Sequence, residues 1–499
     1  MTSAIDLLMY GFSLAIRPEN LMYAFIGSVV GTFVGVLPGL GPVATIAILL
    51  PLTYQAGSPL GAIIMLSAIY YGAMYGGSTT SILMRLPGEA ASVITCLDGY
   101  EMAKQGRAGP ALAIAAIGSF VAGTLAIIGL SFVGPAFARF AVDFGPPEMF
   151  ALALLGVALC ASLSGGPPLR GIAMALAGIL LGLVGVDTMT GVERLTMGSF
   201  NLTGGIELVP MLMGLFGLGE VLHNVAVRAG AVPLTTKIGK LMPTRSDWRE
   251  SAPAIGRGSL IGFLIGLLPG GGAILGALIS YAVEKKVSAH PERFGKGAIA
   301  GVAGPESANN AAATSSFVPL LTLGLPGNAV TAVLFAGLMI QNIQPGPLML
   351  VQHADIFWGV IASMYLGNLM LLVLNLPLVG LWVQLLRVPF WLLAPAIVMI
   401  AVFGTYSLRN NWFDVGVLLV SGGVGYLFRA AAYEAAPLAM AFILADILDT
   451  SLRQALLMGD GGASIFFTRP LSGTVLAVAA TVVAVQLYSY GRRRRRQGA

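Results

Sequence analysis

Continuous apolar stretches alternate along this chain with short polar segments and with clusters of glycine and proline. A transmembrane helix needs about 20 apolar residues, and the apolar residues run continuously instead of alternating, which excludes an outer-membrane barrel. The pattern predicts an all-α polytopic membrane protein of about 10–12 spans. The clearest apolar runs are 111–133, 149–163, 171–186, 208–227, 356–376, 392–403, 413–428 and 471–488.

Composition agrees with a lipid environment. The 499 residues are 57% hydrophobic and only 10% charged, whereas a soluble domain carries roughly 25% charge. Much of the net charge of +5 comes from the five arginines Arg492 to Arg496, which follow the last apolar run. By the positive-inside rule, this tail predicts a cytoplasmic C-terminus and a lipid bilayer as partner; nucleic-acid binding is not predicted.

An internal repeat relates the two halves. Eight residues in the window 27–41 recur 231 positions later. Glycines four apart form a flat stripe on which another helix can pack closely, and the Leu-Pro-Gly that follows disfavours helix continuation. We expect packing or hinge roles for both copies: Gly27, Gly31, Gly35, Pro38 and Gly39, and Gly258, Gly262, Gly266, Pro269 and Gly270.

The most polar segment within the apolar chain is Gly301–Asn328. Its prolines and glycines make an unbroken helix unexpected, and broken polar backbone at membrane depth must be buried in protein or line a cavity. Asparagine amides and freed carbonyls suit a hard cation such as sodium, while Glu306 suits either a coupling cation or a helix cap. The candidate site residues here are Glu306, Ser307, Asn309, Asn310, Thr314, Pro326, Gly327 and Asn328.

The first half contains a counterpart, in which a hydroxyl cluster precedes a second Leu-Pro-Gly. Corresponding broken segments in two halves point to a transporter's binding site, although a Gly/Ser/Thr patch also serves helix packing. We predict that the two segments meet near the midplane, with Asn309 and Asn310 at a helix break facing Ser78–Thr80. The candidates here are Gly76, Gly77, Ser78, Thr79, Thr80, Pro87 and Gly88.

These features divide the chain into five parts. We expect an N-terminal helix or flank at 1–19, a first transmembrane repeat at 20–227 and a second repeat with the terminal spans at 258–490. The segment 228–257 is rich in basic residues and predicts a cytoplasmic linker, and 491–499 predicts a cytoplasmic tail. The charge asymmetry of the flanks favours inverted repeats.

Signatures of other function classes are missing from the sequence. There is no Gly-x4-Gly-Lys-Ser/Thr motif for an ATP-driven pump. The three histidines are scattered, and Cys96 and Cys160 are too few for a metal cluster. We therefore expect neither an enzyme nor a bound cofactor or metal.

Several motifs in order resemble the large membrane subunit of the tripartite tricarboxylate transporter family. They are Gly35–Gly41, Tyr70–Gly77, Leu86–Gly88 with Leu97–Tyr100, Gly304–Asn310 through Leu320–Gly327, and Pro345–Pro347. The resemblance implies import of a carboxylate across a bacterial inner membrane, driven by a gradient of sodium or protons. It also implies two partners, a small four-span membrane subunit and a periplasmic solute-binding protein.

Together these observations predict a secondary active transporter that holds a carboxylate with hydroxyls, amides and helix N-termini. A passive channel for small organic anions is the alternative, and a non-transporting membrane scaffold or receptor is a third class. A channel would need neither a binding protein nor a cation gradient. In a scaffold, replacing Asn309 and Asn310 by alanine would leave uptake unchanged.

Overall fold

The computed structural model describes residues 4–37, 41–54, 57–141, 144–163, 167–227, 238–268, 272–385 and 390–497. Pro38, Gly39, Pro269 and Gly270, together with residues 228–237 of the predicted linker, lie outside the described residues. The described chain is almost entirely helical, as the apolar pattern predicts, and carries one two-stranded ribbon.

The first half holds ten helices and the ribbon in the described residues. Short 3-10 turns occur at Ala90–Val93 and Phe200–Leu202, and a π-helical segment at Met213–Leu218 joins α9 to α10. The elements are α1 (Ala4–Ala15), α2 (Pro18–Val36), α3 (Pro42–Tyr54), α4 (Pro59–Met84), α5 (Thr95–Lys104), α6 (Ala108–Ala141), α7 (Pro146–Leu163), α8 (Pro168–Gly182), β1 (Gly185–Val186), β2 (Glu193–Arg194), α9 (Leu208–Leu212) and α10 (Gly219–Val227).

The second half holds thirteen helices in the described residues, with a further 3-10 turn at Pro291–Arg293. They are α11 (Arg245–Gly266), α12 (Gly272–Val287), α13 (Ala300–Ser315), α14 (Phe317–Leu323), α15 (Ala329–Ile340), α16 (Met349–Gln352), α17 (Ala354–Asn375), α18 (Val379–Leu385), α19 (Phe390–Arg409), α20 (Trp412–Ala430), α21 (Ala436–Met458), α22 (Ile465–Thr468) and α23 (Pro470–Gln497).

Seven helical stretches of the described chain are long and apolar enough to cross a membrane. Six shorter apolar helices of 10–17 residues accompany them, so the count of 10–12 spans stays a prediction. The seven stretches are Pro18–Val36, Pro59–Met84, Ala108–Arg139, Leu208–Ala226, Ala354–Asn375, Trp412–Ala430 and Pro470–Tyr488.

The centre of the molecule is formed by α4 and α13–α14. Every residue from Gly301 to Gly327 is buried, including all of the polar ones. In the apolar 18-residue stretch of each helix, 94% of the residues are buried in α4, against 11% in α23. The polar segment Gly301–Gly327 therefore lies inside, and the apolar helix α23 lies at the periphery, as expected for a protein whose solvent is lipid.

Each glycine stripe packs against the central helix of its own half. Since α2 lies on α4 and α11 on α13, a methyl group added to a stripe glycine would collide with the backbone of the partner helix. Gly27, Gly31 and Gly35 face the carbonyls of Met65, Ile69 and Ala73, while Gly258, Gly262 and Gly266 face those of Gly304, Ala308 and Ala312.

These contacts extend the repeat beyond the 231-residue match. The backbone partners lie 239 positions apart in the two halves (65 and 304, 69 and 308, 73 and 312). The two repeats therefore share a helix pair with the same contacts, and the offset grows by eight residues between the first helix of the pair and the second.

Two features of the second repeat differ from expectation. The stripe helix α11 already begins at Arg245, inside the segment expected as linker, because Thr244 and Asp247 form a capping box there. The polar helix α13 continues without interruption from Ala300 to Ser315 despite Pro305 in its interior.

The ribbon between α8 and α9 is fixed to α21 by charges. Arg194 and Arg453 both pair with Asp187, and both also reach Asp449 in α21. The Thr190 hydroxyl, the Met189 amide and the two arginines together hold the pKa of Asp187 well below its usual range.

Candidate functional site

Both central helices end in the same kind of break. α4 ends at Met84, and Arg85 adopts the left-handed conformation with φ 57°. α14 ends at Leu323, and Gly324 adopts it with φ 69°. Arg85 and Gly324 are 239 positions apart, so the breaks are repeat-related.

A capping residue follows each break. Glu89 accepts a hydrogen bond from the Ala91 amide at 2.6 Å and begins the 3-10 turn. Asn328 accepts one from the Thr331 amide at 3.0 Å and begins α15. Both form capping boxes, with Ser92 and Thr331 supplying the reciprocal hydroxyls.

The two breaks contact the opposite repeat reciprocally. Asn309 Nδ2 donates to Glu89 Oε1 at 3.0 Å, and Asn328 Nδ2 donates to the Tyr70 hydroxyl at 3.1 Å. Because Tyr70 and Asn309 are also 239 positions apart, the same contact occurs twice, once from each half. A contact that repeats with exchanged partners is the signature of two-fold related units.

A carboxyl group lies at the centre of this arrangement. Glu306 is fully buried, with Ser78 Oγ 3.0 Å from its Oε2 and with the Thr95 hydroxyl donating to its Oε1. Asn309, one turn along α13 from Glu306, donates to Glu89. In the described part of the chain, no lysine or arginine forms an ion pair with either glutamate.

The predicted position of the asparagines is wrong in one respect. Asn309 and Asn310 lie inside α13, which ends at Ser315; α14 begins at Phe317, and the left-handed break follows at Gly324–Asn328. Alanines at 308 and 311–313 favour helix, and packing by α6, α11 and α12 outweighs the bond that Pro305 removes. Likewise, Gly76–Thr80 lie within α4, ahead of its break.

Of the predicted residues, Ser78, Glu306 and Asn309 come together. Gly77 packs against Glu89, and Gly88 packs against Gly77. Others turn to different neighbours. Asn310 donates to Ser119 in α6 at 2.7 Å, Thr314 donates to the Asn310 carbonyl at 3.0 Å, and Thr80 donates to the Val36 carbonyl at 2.5 Å.

The remaining predicted residues differ in exposure. Thr79 and Ser307 are buried, and the Ser307 hydroxyl has no hydrogen-bond partner among the described residues. Gly76 lies against Thr32 of α2. Pro87 is exposed, whereas its counterpart Pro326 and Gly327 are buried.

Four site residues were missed in the sequence: Glu89, Thr95, Ser119 and Tyr70. For Glu89 a signal existed, because Leu86–Glu89 aligns with Leu325–Asn328 at the offset of 239. Tyr70 opens the motif Tyr70–Gly77 and lies 239 positions before Asn309. Thr95 and Ser119 carry no such signal, since their roles depend on contacts with α13.

An all-α membrane protein in which two repeats bury polar helix breaks against one another has the architecture of a membrane transporter. Comparison with known proteins agrees. The chain belongs to the tripartite tricarboxylate transporter TctA family, whose model matches residues 21–440.

Two relatives from Agrobacterium vitis show how far the similarity extends. An uncharacterized 52.8 kDa protein in the TAR-I ttuC′ 3′ region is 46% identical over 495 residues, covering 99% of this chain and 98% of the relative. An uncharacterized protein in the TAR-II ttuC′ 3′ region is 48% identical over 236 residues, covering 47% of this chain and 98% of the relative. No solved structure matches this chain.

Proposed function

We propose that this chain is the substrate-translocating subunit of a secondary active transporter that imports a tricarboxylate-like substrate across the bacterial inner membrane. It works with a small four-span membrane subunit and receives substrate from a periplasmic binding protein. A gradient of sodium or protons drives uptake. The arginine-rich tail at 492–496 supports a cytoplasmic C-terminus.

The observation that carries the proposal is the reciprocal contact between the helix breaks. The contact of Asn309 with Glu89 and the contact of Asn328 with Tyr70 are equivalent. In each of them, a residue of one half bonds to the capping residue of the other half. Such two-fold related halves, if inverted in the membrane, can exchange conformations and so open the site alternately to each side. The exchange of partners therefore supports a two-fold relation between the repeats, and the inverted arrangement is part of the proposal.

The same region supplies the groups that bind a carboxylate. Ser78, Thr95 and Ser119 contribute hydroxyls, and Asn309 and Asn310 contribute amide donors. The cap of α15 adds a helix N-terminus beside the second break. In the present conformation Glu306, Asn309 and Asn310 are at most 2% exposed, which corresponds to a closed site.

Uptake of labelled citrate into vesicles holding the complete three-component system tests the proposal. We expect saturable uptake that requires both the binding protein and an imposed cation gradient. Asn309→Ala should abolish most of it, whereas Asn201→Ala, which alters an exposed asparagine in the loop before α9, should not. Uptake that persists without the binding protein and without a gradient would instead identify a channel.

A further inference from the structure

We propose that Glu306 and Glu89 share one proton, held by Glu306 in this conformation, and that the coupling ion of the transporter is therefore a proton. This inference rests on the proposed function for its coupling role. The site itself has two buried carboxyl groups: Glu89, which accepts from Asn309, and Glu306, which lies one turn before Asn309 in α13. It is defined by contacts that do not depend on that function.

The first argument is charge. Glu306 is 0% and Glu89 is 6% exposed, and neither has an arginine or lysine partner among the described ion pairs. Burying two unpaired carboxylates beside each other is far more costly than burying one charge and one neutral acid. One proton on the pair removes most of that cost.

The second argument is the count of hydrogens at Ser78. Its Oγ lies 3.0 Å from the Tyr75 carbonyl and 3.0 Å from Glu306 Oε2. A hydroxyl has one hydrogen to donate, and the carbonyl can only accept. Both contacts reach full strength when Ser78 donates to Tyr75 and a protonated Glu306 donates to Ser78. Glu306 Oε1 then accepts from the Thr95 hydroxyl.

Glu89 has the opposite pattern. Both of its oxygens accept, Oε2 from the Ala91 amide at 2.6 Å and Oε1 from Asn309 Nδ2 at 3.0 Å. Two donors directed at one carboxyl group stabilise its ionised form. The contacts therefore assign the proton to Glu306 and the negative charge to Glu89.

Asn309 shows how the proton can change place. Its Oδ1 is buried and has no hydrogen-bond partner among the described residues, which is unusual and costly. If the proton leaves Glu306 Oε2 and arrives at Glu89 Oε1, the amide can turn over so that Oδ1 accepts from the new O–H. Ser78 and Thr95 then donate to the Glu306 carboxylate.

The other titratable groups around α13 have partners of their own. Asp98 of α5 accepts from the amides of Gly295, Gly297 and Ala298 and from the Tyr281 hydroxyl of α12. Glu284 of α12 pairs with Arg257 of α11. The rest are Arg85 after α4, which lies over the Tyr100 ring, and the Cys96 thiol of α5, which faces the Ser92 carbonyl.

Protonation of Glu89 connects to the helix break. A neutral carboxyl group accepts the Ala91 hydrogen bond less strongly than a carboxylate, so the cap of the 3-10 turn weakens. The neighbouring residues Arg85, Pro87 and Ala90 are exposed, so the pair lies close to the protein surface at this break. Proton transfer thus loosens the segment that covers the site.

The direct test is infrared difference spectroscopy of the purified full-length protein, following the carbonyl stretch of protonated carboxylic acids. We expect a band at neutral pH that Glu306→Gln removes, that Glu306→Asp shifts, and that Glu292→Gln, on an exposed loop, leaves unchanged. The assignment would be overturned if the band is absent, or if Glu89→Gln removes it and Glu306→Gln does not. Loss of the band on adding sodium would also overturn it.

The coupling role is tested with citrate in vesicles that hold the complete system. In sodium-free buffer an inward proton gradient should drive accumulation, and Glu306→Gln should lose accumulation but keep exchange of labelled for unlabelled citrate. Accumulation driven only by sodium would refute proton coupling and leave the proposed function intact, and loss of exchange would make Glu306 a structural or substrate-binding residue. The infrared band without any citrate movement would refute the proposed function and leave the proton site.

Discussion

The two helix breaks occupy equivalent places but differ in chemistry. In the first, the left-handed residue is Arg85, the capping residue is Glu89, and the connecting Pro87 is exposed. In the second, the matching residues are Gly324, Asn328 and the buried Pro326. One break carries an ionisable cap and an exposed proline, and the other carries a neutral cap and a buried proline.

This difference indicates a division of labour between halves that share one architecture. A carboxylate cap can change its charge and thus its strength, whereas an amide cap cannot. The partners differ correspondingly, since Glu89 meets the amide of Asn309 and Asn328 meets the hydroxyl of Tyr70. We infer that the cap of the first break changes strength with the charge of Glu89 and that the cap of the second break keeps its strength.

The largest effect is expected where the halves are alike. Gly31→Val and Gly262→Val both place a side chain against the backbone of the central helix, which cannot move aside. Each should destabilise the protein by about 3 kcal/mol or prevent folding, measured by thermal unfolding in detergent. Gly256→Val is the control, because a Cβ atom added at that position would meet no neighbouring element within 4 Å. Unequal effects at 31 and 262 would show that the two stripes are not equivalent.

The two reciprocal contacts should differ in how much they stabilise the fold. Asn309→Ala leaves the buried Glu89 carboxylate without one of its two donors and should cost about 2 kcal/mol. Asn328→Ala removes a helix cap and the bond to a neutral hydroxyl, at about 1 kcal/mol. A double-mutant cycle of Asn309 with Glu89 should give a larger coupling energy than one of Asn328 with Tyr70. The reverse order would contradict the assignment of charge to Glu89.

The left-handed positions give a third comparison. Gly324→Ala forces a side chain into a left-handed conformation and against the Pro345 carbonyl at 2.6 Å. The substitution should cost about 1–2 kcal/mol in unfolding free energy. An equally stable variant would mean that the second break can relax its backbone.

The smallest effect is expected from Arg85→Gly. The change relieves about 1 kcal/mol of backbone strain, but it also loses the contact of Arg85 over the Tyr100 ring, worth about 0.5–1 kcal/mol. The unfolding midpoint should therefore stay nearly constant. A marked destabilisation would show that Arg85 has a further role at the exposed break.

The apolar pattern predicted several of the long helices closely, because the thickness of a bilayer fixes their length. The runs 356–376 and 413–428 correspond to α17 (Ala354–Asn375) and α20 (Trp412–Ala430). The repeat was also visible, since glycines that touch backbone tolerate no substitute. The family resemblance, carried by several motifs in order, is confirmed by the match to residues 21–440.

The course of the polar segments was harder to predict. Pro305 and the nearby glycines locally favour a break, but tertiary packing keeps α13 continuous to Ser315. The left-handed break lies at Gly324, just before Leu325-Pro326-Gly327. Glu89 was overlooked as a site residue although Leu86–Glu89 corresponds to Leu325–Asn328, because its capping role and its bond to Asn309 depend on the fold. The predicted roles of the other site residues in binding stay predictions.

The carboxyl group of Asp98 has a consequence for biosynthesis. Its partners Gly295, Gly297 and Ala298 leave the ribosome about 200 residues after it. Until then the first half lacks the donors that lower the free-energy cost of burying the Asp98 carboxylate. Glu89 likewise lacks its donor Asn309 until the second half has been synthesised. The first half therefore enters the membrane before its polar centre can close, and final assembly depends on the arrival of the second.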